Sequence, residues 1–402
     1  MSSPQEWPRR VSDAVPRRFT AGDALRGTAA MLVLVFHAAR ETMVWQVGSA
    51  GNEGPSLVRP IFGPFAAEFV NMRAGIYIFF ALSGYLLTRA YLSAFTLGTP
   101  TPSTRRYFRN RALRIIPAFW VIATVYLIWA RFNPGGGIAG VLAVYGFAQN
   151  YYFTPAAVLV GQAWTLDLEV AFYILIPIVS AIALYADRRG LPRRTPVRLT
   201  IVLAALAAAY VASLLHTASF PPSLQYNIAD YLFAFIPGVA LAAIEPFAAP
   251  RLRGTQQGRV WARGLAVACV ALLAVYVSLP VTDYGTRLAL VTIASGTLLA
   301  APLALQWTNG GCWRVFDNKA MRWLGERSYG IYLIHLGLMI HILARLGHGH
   351  GPKVTFLLLL AIATVITLIA ADLLWRFVEQ PALQRRLPWR QAEFTSPAAS
   401  QA

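Results

Sequence analysis

The sequence predicts an all-α, polytopic membrane protein with about ten transmembrane helices and one short re-entrant or interfacial segment. Three observations lead there. Of 402 residues, 57% are hydrophobic and only 13% charged, and mean hydropathy is +0.52, a balance foreign to soluble domains of this size. Apolar stretches long enough to cross a hydrocarbon core recur along the whole chain. The basic residues fall in short bursts between those stretches. That pattern assigns the net charge of +18 to cytoplasmic loops under the positive-inside rule, and not to nucleic-acid binding.

Residues 1–20 read as a cytoplasmic tail carrying Arg9, Arg10, Arg17 and Arg18. The first span, 24–45, contains Arg26 and His37. Their spacing returns them to within roughly 20° of one helix face and separates them by about 16 Å along it. A Gly- and Pro-rich outer loop leads to the second span, 72–94, which includes FFALSGYLLTR. A basic loop, RRYFRNRALR, precedes a third span over 115–130, which ends in the turn NPGGG. Residues 138–152 are apolar but only about fifteen long, nearer to a re-entrant or interfacial segment than to a span. Further spans are expected at 163–185, 197–215, 228–247, 262–279, 284–307, 328–346 and 354–377.

Charge decides how the short segment behaves. If it does not cross, every basic cluster lies on one side: the N-terminal tail, 105–114, 188–198, 251–263, 314–327 and the tail beyond Arg376. The expectation is therefore ten spans in the cell membrane with both termini cytoplasmic. The organisation follows: a tail over 1–20, a membrane domain over 21–382 and a tail over 383–402. No internal repeat, secretory signal or second soluble domain is read. Cys269 in an apolar span and Cys312 in a basic loop make no disulfide framework.

An ionisable group deep in a bilayer costs about 2.5–3.5 kcal/mol on insertion scales and calls for a function. The predicted topology puts Arg26 at the cytoplasmic face and His37 in the outer half. An arginine at a helix end can also be an ordinary snorkelling anchor, and a histidine can bond a neighbouring helix. Arg40 and Glu41 lie one turn beyond His37, and Glu41 can orient the imidazole or form a solvated ion pair. Glu169, in WTLDLEVAFY, sits about two turns into a helix entering from outside, at a depth like that of His37. A carboxylate and an imidazole at one depth are the parts of a general base and its orienter; the alternative is a buried carboxylate paired with an arginine such as Arg73. Asp167 faces elsewhere. Arg111 and Arg114, at i, i+3, offer guanidinium forks suited to phosphate, although any cytoplasmic loop is basic. SYGIYLIH aligns Ser328, Tyr332 and His335 on one face. Ser83 beside Gly84 reads as helix packing, not as a nucleophile. His348 and His350 in GHGHG read as a turn and not as a metal site.

These stretches together resemble the acyltransferase-3 family of integral membrane acyltransferases. The matching pieces run in family order: LRGTAAMLVLVFH, FFALSGYL, RNRALRIIP, WTLDLEVAFY, LGERSYGIYLIH and FVEQP. The resemblance implies transfer of an acyl group, usually acetyl from acetyl-CoA, to a hydroxyl on a carbohydrate. It places the family's essential Arg and His on Arg26 and His37, its second-motif arginines on Arg111 and Arg114, and its tryptophan-motif Glu on Glu169. Tyr77 stands where a small polar or acidic residue is common, and Val170 where a second acidic residue is common. The expected mechanism docks coenzyme A on Arg26, Arg111 and Arg114 from the cytoplasmic side. The thioester then threads toward His37, the general base, which Glu169 holds. Trp164, Tyr332 and His335 are the candidate acceptor contacts. Acetyl-CoA or another acyl-CoA is the co-substrate, with no metal. The partner is a hydroxyl-bearing glycan, a lipid-linked sugar or a glycosylated metabolite. A proton-coupled transporter of an anionic or lipid-linked substrate is the rival reading; it predicts broken helices in inverted repeats. A membrane scaffold would leave the buried His and Glu unexplained.

Overall fold

A computed structural model describes residues 19–47, 55–66, 71–129, 137–152, 161–190, 195–219, 227–278, 284–309 and 313–386. The N-terminal tail, Cys312 and most of the C-terminal tail lie outside these residues. Among the described residues there is no strand. The helices are α1 (Gly22–Val47), α2 (Pro55–Phe62), α3 (Gly75–Leu97), α4 (Thr104–Trp129), α5 (Gly137–Tyr145), α6 (Gln149–Tyr152), α7 (Trp164–Arg188), α8 (Thr195–Ser219), α9 (Ile228–Leu252), α10 (Gln256–Ser278), α11 (Tyr284–Asn309), α12 (Lys319–Leu346), α13 (Pro352–Leu374) and α14 (Gln380–Gln384), with a π-helical turn, Trp375–Glu379, between the last two.

Ten of these are long, and nine are also apolar enough to cross a membrane. The tenth, α1, is 26 residues long, but Arg26, His37, Arg40 and Glu41 dilute its apolar run. The chain is an all-α, multi-pass membrane protein.

Contacts at the helix ends fix the topology. The Thr20 amide, just before α1, donates to Gln306 near the end of α11. Arg89 near the end of α3 and Trp307 of α11 both donate to Glu245 near the end of α9. Arg198, at the start of α8, donates to the Phe95 carbonyl of α3 and pairs with Asp187 at the end of α7. The Gly254 amide before α10 donates to the Thr308 carbonyl of α11. Arg109 of α4 donates to the Arg385 carbonyl, and Arg327 of α12 pairs with Asp372 of α13. All ten long helices therefore alternate in direction, and the described parts of the basic clusters gather at one end of the bundle.

The short segment lies at the other end. Trp120 of α4 donates to the Tyr145 carbonyl, and the Asn150 amide and side chain bond Asp167 and the Trp164 carbonyl at the start of α7. Because α4 leaves and α7 begins at this end, α5 and α6 return without crossing. Phe147 makes the turn between them in the left-handed region (φ 58°) and packs tilted against Phe119, with ring centroids 4.7 Å apart. At the same end His348 stacks on Trp45 at 4.9 Å.

Two expectations change. The basic RRYFRNRALR stretch is not a loop but the opening turns of α4, since arginine is a good helix former. For the same reason α12 starts at Lys319, nine residues before the apolar run. Elsewhere the core is built by aromatic and small residues. Phe235 of α9 stacks on Phe80 of α3 and Phe172 of α7, at 4.5 and 4.1 Å. Gly84 and Gly238 let α3 and α9 touch backbone to backbone; a Cβ at either would strike the Phe235 or Ala81 carbonyl oxygen, the close approach that small residues permit between membrane helices.

Candidate functional site

A cavity of about 100 Å³ opens among α1, α3, α4, α7 and α12 toward the basic end. Arg26, Arg111 and Arg114 line it, with Glu169, Ser83, Tyr173, Tyr329 and Tyr332. One wall is apolar, formed by Ile76, Phe79, Phe80 and Leu87 of α3. Each polar group arrives for a local reason. Arg111 and Arg114 project together because they are three apart on α4. Ser83 faces the cavity because its neighbour Gly84 is the residue pressed against α9.

Glu169 is the hub of the middle of the cavity. Its Oε1 accepts from Ser83 Oγ at 2.8 Å and from Tyr173 OH, one helical turn on, at 2.7 Å. Arg111 lies over the Tyr173 ring, 5.9 Å from its centroid. Arg26 pairs with Asp23 at 3.6 Å and is within electrostatic reach of Arg114, Glu169 and Arg111. Tyr329 ties α12 to α4 through the Ile115 carbonyl at 3.0 Å.

His37 lies beyond this cavity, further along α1. Its Nδ1 is 3.8 Å from Glu41 Oε1, and Arg40 pairs with the same carboxylate. Its ring centroid is 5.2 Å from that of His335. His335 is fully buried; its Nδ1 lies 3.1 Å from the Ile331 carbonyl and its ring 5.7 Å from Tyr332. Tyr332 OH in turn shares a hydrogen bond with Thr165 Oγ1 at 2.7 Å and donates to the Gln162 carbonyl. The line His37, His335, Tyr332 thus joins the imidazoles to the cavity wall.

The acyltransferase domain family matches residues 20–376. This chain belongs to the acyltransferase-3 family. Peptidoglycan O-acetyltransferase OatA of Listeria monocytogenes is 26% identical over 325 residues, 76% of this chain and 50% of that protein. Nodulation protein 10 of Rhizobium leguminosarum bv. viciae is 24% identical over 393 residues, 90% of this chain and 93% of that protein. O-acetyltransferase OatA of Staphylococcus aureus is 24% identical over 324 residues, 76% of this chain and 52% of that protein. The chain spans about half the length of the two O-acetyltransferases. No solved structure matches it.

Of the residues singled out in this acyltransferase-3 sequence, the cavity gathers Arg26, Arg111, Arg114, Glu169 and Tyr332. His37 and His335 form a separate pair behind Tyr332. Trp164 is elsewhere: it opens α7 at the far end and packs on Tyr231 at 5.0 Å. The expected hold of Glu169 on the His37 imidazole is corrected. Ser83 and Tyr173 are the hydrogen-bond donors to Glu169, and the carboxylate beside His37 is Glu41. The packing role expected of the Ser83–Gly84 pair belongs to Gly84; Ser83 faces the cavity.

Sequence reading missed three members. Tyr173 is visible only once α7 is known to point its i, i+4 face inward. Glu379 of FVEQP is buried, and neither carboxylate oxygen has a hydrogen-bond partner among the described residues; it lies within electrostatic reach of Arg114, Arg327 and Arg386. A lone acid closing an apolar span was its signal. Arg386 had none. Among the described residues, no group of three His, Cys, Asp or Glu could hold a metal ion.

Proposed function

We propose that this chain is a membrane O-acyltransferase that moves an acyl group, acetyl by the kinship with O-acetyltransferases, from acyl-CoA to a hydroxyl of a carbohydrate or glycosylated acceptor. The observation that carries the reading is the single cavity in which Arg26, Arg111 and Arg114 face Glu169, with the His37–His335 pair directly behind Tyr332. Guanidinium forks at the mouth bind the phosphates of coenzyme A. The apolar wall of α3 accepts the pantetheine arm and points the thioester inward. His37 takes the proton of the acceptor hydroxyl, whose oxygen attacks the thioester carbonyl. The C–S bond breaks as the ester bond forms, and the coenzyme A sulfur receives the proton back from the imidazolium. His37 needs a bare ring nitrogen for this. Glu169 supports the site through Ser83 and Tyr173, while Glu41 orients His37. The acceptor arrives from the outer side or from within the membrane.

By the positive-inside rule the basic end, and with it both termini, faces the cytoplasm. A reporter fused after Tyr152 then reads outside and one after Gly190 inside. Purified protein incubated with acetyl-labelled acetyl-CoA should release coenzyme A and pass label to a hydroxyl acceptor or to water. Absence of both from folded protein would remove acetyl-CoA as donor. Peptidoglycan, the glycan named for the Listeria monocytogenes relative, is the first acceptor to test.

A further inference from the structure

The segment after α13 ends beside the first turns of α4, near the cavity's arginines. It widens into the π turn Trp375–Glu379 and continues as α14; such turns are frequent at functional sites. Arg109 Nη2 then clamps the Arg385 carbonyl at 3.2 Å, holding the end of the segment against α4. Arg386 follows directly. Its Nε is buried and, like that of Arg111, has no hydrogen-bond partner among the described residues. Its charge interacts with those of Arg114, Arg111 and Arg26, and burial together with these neighbours lowers its pKa to about 10.

Four guanidinium groups are thus drawn together against three carboxylates, Glu169, Glu379 and, paired with Arg26, Asp23. Folding does not gather like charges without cost, and unpartnered buried donors call for an explanation. An anionic ligand with several acceptor oxygens satisfies both. We infer that Arg386 is a fourth cationic contact for the phosphate groups bound at this mouth, delivered by the π turn and the Arg109 clamp; this rests on the reading of the cavity as the acyl-CoA site. A snorkelling arginine would turn outward to lipid phosphates, whereas the Nε of Arg386 is buried and its charge is coupled to α4.

Full-length protein in a phosphate-free detergent provides the test, with affinity measured for coenzyme A and, separately, for inorganic pyrophosphate. Arg386→Gln should weaken both by about tenfold or more, the size of one lost charge-assisted contact. Arg386→Lys should recover part, since it restores a point charge but not the fork. Unfolding midpoints without ligand check that each variant is folded. If Arg111→Gln weakens coenzyme A binding and folded Arg386→Gln does not, the inference fails while the donor reading stands. If pyrophosphate binds in an Arg386-dependent way and coenzyme A does not bind, the donor reading fails and Arg386 remains a phosphate contact. If Arg386→Gln lowers only the binding of added phosphatidylglycerol, the residue is a headgroup anchor and the inference is overturned.

Discussion

Two glutamates at the basic end, Glu245 and Glu379, are equally buried, each 2% exposed, and their surroundings are opposite. Glu245 is saturated: Tyr85 OH donates to it at 2.5 Å, Arg89 Nε at 2.6 Å and Trp307 Nε1 at 3.0 Å. Those donors come from α3 and α11, so one carboxylate on α9 staples three helices. Glu379 has arginines nearby and no hydrogen bond among the described residues. A fully connected polar network rigidifies a fold, and a half-satisfied one costs stability and marks a place held for something else. The first region is architecture. The second lies beside the arginines of the candidate site.

That contrast orders the expected effects. Glu245→Ala should be the most damaging change, because it removes the acceptor that Tyr85, Arg89 and Trp307 share; breaking a buried pair typically costs about 3–5 kcal/mol. Thermal unfolding in detergent measures it, and a loss below roughly 1 kcal/mol would erase the contrast. Gly84→Ala comes next. Its methyl would push against the α9 backbone at Phe235 and Val239, and overpacking of that kind costs about 1–3 kcal/mol. Glu379→Gln should change stability least, within about 0.5 kcal/mol, since Gln keeps the shape and no hydrogen bond to the carboxylate is lost. A drop as large as that of Glu245→Ala would show that Glu379 is a staple too.

The helices were legible because apolar length and basic punctuation are chemical facts of the chain. The topology followed from arginines alone, and the fate of 138–152 followed from the topology. Arg26, Arg111, Arg114 and Glu169 were legible as charges where a bilayer tolerates few. Pairing was not. Depth put Glu169 level with His37, but rotation about α7 turned it toward Ser83 of α3, and rotation is set by packing that hydropathy does not encode. Trp164 shows the same limit: its place opening α7 was readable, its partner Tyr231 was not. Arg386 was illegible because nothing about an arginine in a basic tail tells whether it turns toward water, lipid or protein.

In the proposed mechanism His37 acts chemically from behind the cavity, where it does not line the arginine mouth. His37→Gln separates binding from chemistry, because Gln keeps a polar contact but cannot accept a proton at neutral pH. Transfer from labelled acetyl-CoA and affinity for coenzyme A should be measured on the same purified variant. The expected result is transfer reduced to background with coenzyme A affinity within about twofold of the unsubstituted protein, an energy difference of roughly 0.4 kcal/mol. Transfer retained by His37→Gln would contradict the proposed base, and coenzyme A binding lost with it would place His37 in the donor site instead.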